Sequence, residues 1–188
     1  MDGAISRHAW RRNLAHAALE FFRSRVIRKS EVAKPSMNQD RKALIGRVLP
    51  PFTYVIDAEN ARDYLRVAGE DLGAYRDAES SRAAGYDRHV IPPSFAPWIA
   101  LSALLRSIDW ERDFYLDYRT GTSMFGEQEM HYARPLYVGE ALIFTANVVD
   151  VIEKRGSRAF DLVTIGYDAT DDRGAVALSG ACGFILFK

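Results

Sequence analysis

The chain has 188 residues, 48% of them hydrophobic, and a formal net charge of zero. That length suits one domain with a real core, and the balanced charge leaves no basic footprint for nucleic acid across the chain as a whole. No apolar run reaches the roughly 18 residues a membrane helix needs, nothing reads as the apolar core of a secretory signal, and the lone Cys182 excludes an intrachain disulfide, so a reducing cytoplasm is the expected setting.

The charge is unevenly spread. Residues 1–36 carry eight basic side chains against three acidic ones, a surplus of five that the rest of the chain cancels. Trp10, Leu14, Ala17, Ala18 and Phe21 fall at helical spacing within it, a basic amphipathic pattern. Such a segment reads as a membrane-surface helix, an organelle transit peptide or a translated upstream extension. The last is preferred, because Lys34-Pro35-Ser36 breaks the pattern and Met37 then reads as an ordinary start.

Pro50-Pro51 precedes an alternating run, Phe52 to Ile56, that predicts a strand. Asp57 stands at a helix N-cap position, Ala61, Tyr64, Leu65 and Ala68 share one helical face, and Gly69 closes the helix from Ala58 to Ala68. A loop rich in Gly, Asp and Tyr follows. It holds a second cap, Asp77, and a short helix through Ser80 and Ser81 that Gly85 ends. Pro92-Pro93 then opens the most apolar stretch, in which Trp98, Ile99, Leu101, Leu104 and Leu105 predict a helix buried nearly all round.

Beyond Asp109 the period changes from 3.6 to 2. Strands are predicted over Phe125–Tyr132, Ala141–Glu153, Ala159–Thr170 and Ala175–Phe187, with Arg134–Gly139 as a turn region. The last two linkers, Lys154-Arg155-Gly156 and Asp171 to Gly174, are hairpin signals, so the last three strands form an antiparallel meander. Strands this long imply a strongly curved sheet, and the apolar helix is the element able to fill its concave side. The expected class is α+β, a curved antiparallel sheet wrapped round a long buried helix.

The segments PPFTYVIDAENARDYLRVAGED, YRDAESSRAAGY, IPPSF and FGEQEMHYARPLYVGEAL, in that order and spacing, resemble the MaoC-like dehydratases. Within them the likeness is to the FAS1-like dehydratase, or N-terminal MaoC half, a hot dog fold. The likeness covers about Leu44 to Leu186, so the expected organisation is a basic extension, poorly packed or helical, over 1–36 and a hot dog domain over 37–188. It implies (R)-specific hydration or dehydration of an acyl thioester carried on CoA or acyl carrier protein, with no further cofactor. That chemistry needs a carboxylate and an imidazole that share the water. It also needs an N–H at the start of the buried helix to hold the thioester oxygen.

Active members supply acid and base from a loop reading Gly-Asp-x-Asn-Pro-Leu-His, and the N–H from a glycine. Here Glu70 stands at the aspartate position, Tyr75 at the histidine position, Leu72-Gly73 at the Asn-Pro pair and Pro93 at the glycine. Tyrosine, with an ordinary pKa near 10, is a poor base at neutral pH, and proline has no N–H to donate. The resemblance therefore implies a non-catalytic, substrate-binding subunit whose partner, a paralogous MaoC-like chain or a second copy, carries the Asp and His. The paralogue is preferred, because two copies would bring two altered loops. The alternatives are a self-sufficient hot dog thioesterase or hydratase, with Glu70 or Asp71 as base, and a non-enzymatic acyl-thioester binding module.

Weak catalytic candidates are Glu70, Asp71, Tyr75 and His89. Glu70, Asp71 and Asp77 form a carboxylate cluster that reads either as a metal or acid/base group or as N-cap and solvated loop residues, the second being preferred. Tyr75 also reads as a packed ring, and His89 as an exposed loop histidine. By resemblance, the acyl chain lies along the buried helix near Trp98 and Leu101, and Ser94 and Phe95 are also expected to bind substrate. Arg134 reads either as a contact to a CoA phosphate or as half of a salt bridge at a turn. His131 is a lone strand histidine. No histidine lies at metal-ligand spacing from Cys182 or from another histidine, so no metal is expected. No glycine-rich phosphate loop or Rossmann fingerprint is present, so no nucleotide fold is expected.

Overall fold

The computed structural model describes residues 41–69, 73–109, 123–155 and 159–187. The expected extension over 1–36 and its junction lie outside these residues, as do Glu70 and Asp71.

Strand β1 (Val48–Val55) contains Pro50 and Pro51. Proline gives no N–H to a ladder, and the register against the neighbouring strand slips between Leu49 and Phe52. Helix α1 (Ala58–Ala68) starts where Asp57 accepts the N–H groups of Glu59 and Asn60 at 2.9 and 3.0 Å. It stops at Gly69, whose φ of 68° is the left-handed conformation that glycine adopts without strain. Helix α2 (Ala78–Ala83) is capped by Asp77, which accepts Ser80 N–H at 2.8 Å. A 3-10 turn, Pro93–Phe95, leads into α3 (Ala96–Ser107). The start and stop of α1 and the start of α2 agree with the sequence reading, because caps are decided within a few residues, whereas α3 begins at Ala96, three residues after Pro93 and without a side-chain cap.

Strands β2 (Ser123–Tyr132), β3 (Ala141–Lys154), β4 (Phe160–Thr170) and β5 (Val176–Phe187) complete one sheet. Its order is β1-β3-β4-β5-β2 with every pair antiparallel. The meander β3-β4-β5 is the expected one. The β4–β5 turn is held by Asp171, whose Oδ1 accepts Arg173 N–H and Ala175 N–H at 3.0 and 2.9 Å.

Alternation sends Leu142, Phe144 and Val148 of β3, Val163, Ile165 and Ala169 of β4, and Leu178, Cys182 and Leu186 of β5 inward. They meet Ile99, Ala100, Ala103 and Leu104 of α3, all at 0–1% exposure. This is the hot dog arrangement: one sheet curved round one helix.

Burial of α3 is one-sided, which corrects the expectation of burial nearly all round. Trp98 is 40% exposed, and Leu101 and Leu105 are half-buried. The apolar run is wider than the sheet can cover, and these residues form the helix's outer side. Among the described residues, no helix is long and apolar enough to cross a membrane.

Candidate functional site

The approach to α3 is built around one buried hydroxyl. Ser81, fully buried in α2, directs its single O–H toward the carbonyls of Ala74 and Asp77, which lie 2.7 and 2.9 Å from Oγ, and accepts the N–H of Val90 at 3.1 Å. Ser81 thus gathers the 3-10 turn Gly73–Tyr75, its own helix and the chain returning toward α3. His89 adds a second tie, its Nε2 lying 2.9 Å from the Tyr75 carbonyl oxygen. The returning segment also pairs with the chain after β2: Ile91 N–H donates to Leu136 O, and Val138 N–H to His89 O. Asp77 is held below the ordinary carboxylate range, chiefly by the Ser80 N–H it accepts.

The start of α3 is short of N–H donors. Pro92, Pro93 and Pro97 have none, and the N–H groups of Phe95 and Ala96 donate to the carbonyls of Pro92 and Pro93. The carbonyls here are instead held by side chains from elsewhere. Tyr132 hydroxyl donates to Pro93 O at 2.7 Å, Tyr64 hydroxyl to Ser94 O at 2.9 Å, and Gln128 Nε2 to Pro97 O at 3.4 Å. Gln128 also donates to the Tyr167 hydroxyl at 3.3 Å. Gly180 makes room for that contact: a Cβ there would lie 2.8 Å from the Tyr167 hydroxyl and would strike the Glu129 carbonyl oxygen. Burial raises the Tyr132 phenol above its ordinary pKa, and burial pushes Tyr167 up further, against the opposing effect of the Gln128 bond.

Between these parts lies a crevice of about 420 Å³, within the size range of small-molecule sites. Pro92, Pro93 and Ala96 line it on one part and Ala133 to Leu136 on another, and Tyr75, Tyr86 and Tyr132 line it as well. No carboxylate and no imidazole is among the described residues that line it. A larger, more open trough of about 770 Å³ crosses the sheet through Thr145, Gly166 and Ser179, but Phe95 and Trp98 are not part of it.

Of the residues expected from sequence, Tyr75 and Arg134 line the crevice. Arg134 is committed to ion pairs, with Glu140 Oε1 at 2.8 Å and Asp171 Oδ2 at 3.4 Å, and it also donates to the Pro135 carbonyl. The Asp171 carboxyl sits below its ordinary value, first through the Ala175 N–H, then through Arg173 N–H and the Arg134 charge. His89 braces the loop from behind Tyr75. Ser94, Phe95, Trp98 and Leu101 do not line the crevice: buried Phe95 stacks on Trp98 at 5.4 Å, and Trp98 meets Tyr54 edge-on at 6.3 Å. Ser81, Gln128 and Tyr132 were not singled out as site residues by sequence reasoning. No local pattern marks Gln128 and Tyr132, because partners of each lie 39 positions away, and Ser81 is tied to Val90 only once the chain has turned back after α2. Among the described residues, no cluster of His, Cys, Asp or Glu could hold a metal ion.

Residues 43–179 match a family described as FAS1-like, dehydratase domain region. A UPF0336 protein of Streptomyces coelicolor is 30% identical over 122 residues, which is 64% of this chain and 79% of that protein. One from Streptomyces griseus is 29% identical over 73% of this chain and 89% of its own length. Among solved structures, a truncated HadBC (3R-hydroxyacyl-ACP dehydratase) complex from Mycobacterium tuberculosis superposes with a TM-score of 0.62 at 20% identity. That match covers 76% of this chain and 96% of the other. The (R)-hydratase from A. caviae superposes with a TM-score of 0.57 at 13% identity, covering 80% and 99%. The chain therefore belongs to the FAS1-like dehydratase family, built on the hot dog fold that the MaoC-like dehydratases share.

Proposed function

We propose that the chain is the substrate-binding, non-catalytic subunit of an (R)-specific enoyl-thioester hydratase or 3-hydroxyacyl-thioester dehydratase, and that a paralogous hot dog chain supplies the acid and base. The observation that carries this reading is the start of α3, where Pro93 stands in the glycine position and the N–H groups of Phe95 and Ala96 already donate to the carbonyls of Pro92 and Pro93; the crevice beside it is lined, among the described residues, by phenols, prolines and an arginine paired with Glu140 and Asp171. Hydration needs a group that takes a proton near neutral pH, a role that the resemblance assigns to the histidine whose position Tyr75 occupies. Pro93 in the glycine position withholds the N–H that would receive enolate charge. The substrate is an acyl thioester of CoA or acyl carrier protein, its acyl part held in the apolar crevice, in a cytoplasmic setting. Complexes named HadBC and ChsH1-ChsH2 among the structural neighbours support a two-chain assembly.

The test is hydration of crotonyl-CoA by the purified chain, alone and mixed with MaoC-like chains that keep the Asp and His of the loop. The chain alone is expected to show no turnover above background, with activity appearing on mixing. Turnover by the lone chain that Glu70→Ala abolishes would sink the subunit reading, and cleavage of a saturated acyl thioester would replace it with a thioesterase.

A further inference from the structure

On its helix side the crevice offers a ligand no N–H. Pro92 and Pro93 have none, and Ala96 donates to Pro93 O. Ser94 does not line the crevice. Among the described lining residues, the side-chain donors are the Arg134 guanidinium, already paired with Glu140 and Asp171, and the phenols of Tyr75, Tyr86 and Tyr132.

Tyr132 is the phenol tied to the helix entry. It closes β2 opposite Leu178 of β5, and the next N–H, of Ala133, donates to Ala177 O at 3.0 Å, so the sheet carries its ring. Its hydroxyl lies 2.7 Å from Pro93 O, which sets a donor beside the residue in the glycine position. Tyr132 is 44% exposed, so that hydroxyl is not sealed off from a ligand. Buried Val90, Ile91 and Leu136 line the same crevice and give an acyl chain apolar surface.

A phenol has one proton to give, so it can serve a ligand only by leaving Pro93 O. Pro93 is exposed, and water can take over its carbonyl. The entry to α3 stays tied meanwhile by Tyr64 to Ser94 O and by Gln128 to Pro97 O. Burial raises the Tyr132 phenol above its ordinary pKa, so the hydroxyl keeps its proton at neutral pH.

We propose that Tyr132 holds the carbonyl oxygen of an acyl thioester in this crevice, its hydroxyl turning from Pro93 O to the ligand, and so stands in for the N–H that Pro93 lacks. Preorganised phenols are effective donors to carbonyl oxygens that gain charge. The proposal rests on the subunit reading above and adds the residue through which the chain touches the reacting group.

Calorimetric titration of the full chain with butyryl-CoA and with S-butyl-CoA, a thioether without the carbonyl, tests it. The wild type is expected to bind butyryl-CoA more tightly. Tyr132→Phe is expected to weaken butyryl-CoA by about tenfold, the worth of one hydrogen bond, and to leave S-butyl-CoA unchanged. Tyr64→Phe removes a comparable tie to the helix entry from outside the crevice, and it should not separate the two ligands. Equal losses of both ligands in Tyr132→Phe would mark a merely structural role and overturn the proposal. Unchanged butyryl-CoA binding in that variant, a Tyr64→Phe variant that discriminates as strongly, or a wild type that binds neither ligand would overturn it too. Turnover of crotonyl-CoA by the lone chain would sink the subunit reading and leave the carbonyl contact standing, so the two fail separately.

Discussion

A hydroxyl with no access to water has to find its partners inside the protein, and Ser81 finds three. Ser81→Ala would leave the N–H of buried Val90 without its acceptor and free the turn at Tyr75 from α2. The expected cost is about 2 kcal/mol, read as a lower urea midpoint with an unchanged slope. Asp57→Ala, which removes a solvent-exposed cap from α1, should cost about 1 kcal/mol in the same assay. The two differ in how they could be foreseen. Asp57, Asp77 and Gly69 act on residues beside them, so sequence alone placed them. Ser81 looks like any serine in a short helix, because nothing local reports that Val90 will return to its side. The same holds for Tyr132 and Gln128, which hold carbonyls at the start of α3 from the far strand of the sheet. Tyr75 and Pro93 were legible only through the likeness to a family motif, since neither residue type announces a site.

The two sides of α3 differ in what a truncation should do. Ile99 is fully buried between helix and sheet, and Ile99→Ala should cost about 3 kcal/mol by lost transfer energy and the cavity left behind. Leu101 lies on the outer side and is half-buried, so Leu101→Ala should cost about 1 kcal/mol, its loss being partial transfer with little cavity. Thermal or urea unfolding of the two variants checks the contrast, and equal losses would show that the outer side is covered. Hydrophobicity alone could not separate the sides. The run from Trp98 to Leu105 is apolar at nearly every position, and only the width of the curved sheet decides which residues it covers. The strands, by contrast, were readable because a period of two allows one inward face and no choice within it.

Taken whole, the core is rich in groups that resist ionisation. Burial raises the phenols of Tyr54 and Tyr167 above their ordinary 10.0 and pushes the Cys182 thiol from 9.0 up to about 12. A raised folded value means that the unfolded chain loses these protons first. Their contribution to stability is therefore complete below the unfolded values, and it drains away as pH climbs past 9 for the thiol and 10 for the phenols toward the folded values. Urea midpoints measured from roughly pH 8 to 11 should fall progressively at the upper end. Tyr167→Phe should flatten the fall above the phenol range, although it loses the Gln128 bond and starts from a lower midpoint. The order of elements and the meander were legible from period and turns. The placing of β1 beside β3 and of β2 beside β5 was not, since both pairings join stretches far apart along the chain.

That order has a cost during synthesis. Helix α3, the most apolar element, is made before β2, β3, β4 and β5, the strands that supply most of its cover. The residues from the end of α3 to the end of β5 take on the order of ten seconds to translate at 5–20 residues per second. For that interval Ile99, Ala103 and Leu104 have no sheet to lie on, and β1 has no β3 to pair with. The nascent chain thus carries its most hydrophobic helix uncovered until the strands that follow it have been made, a transient exposure of the kind that favours aggregation.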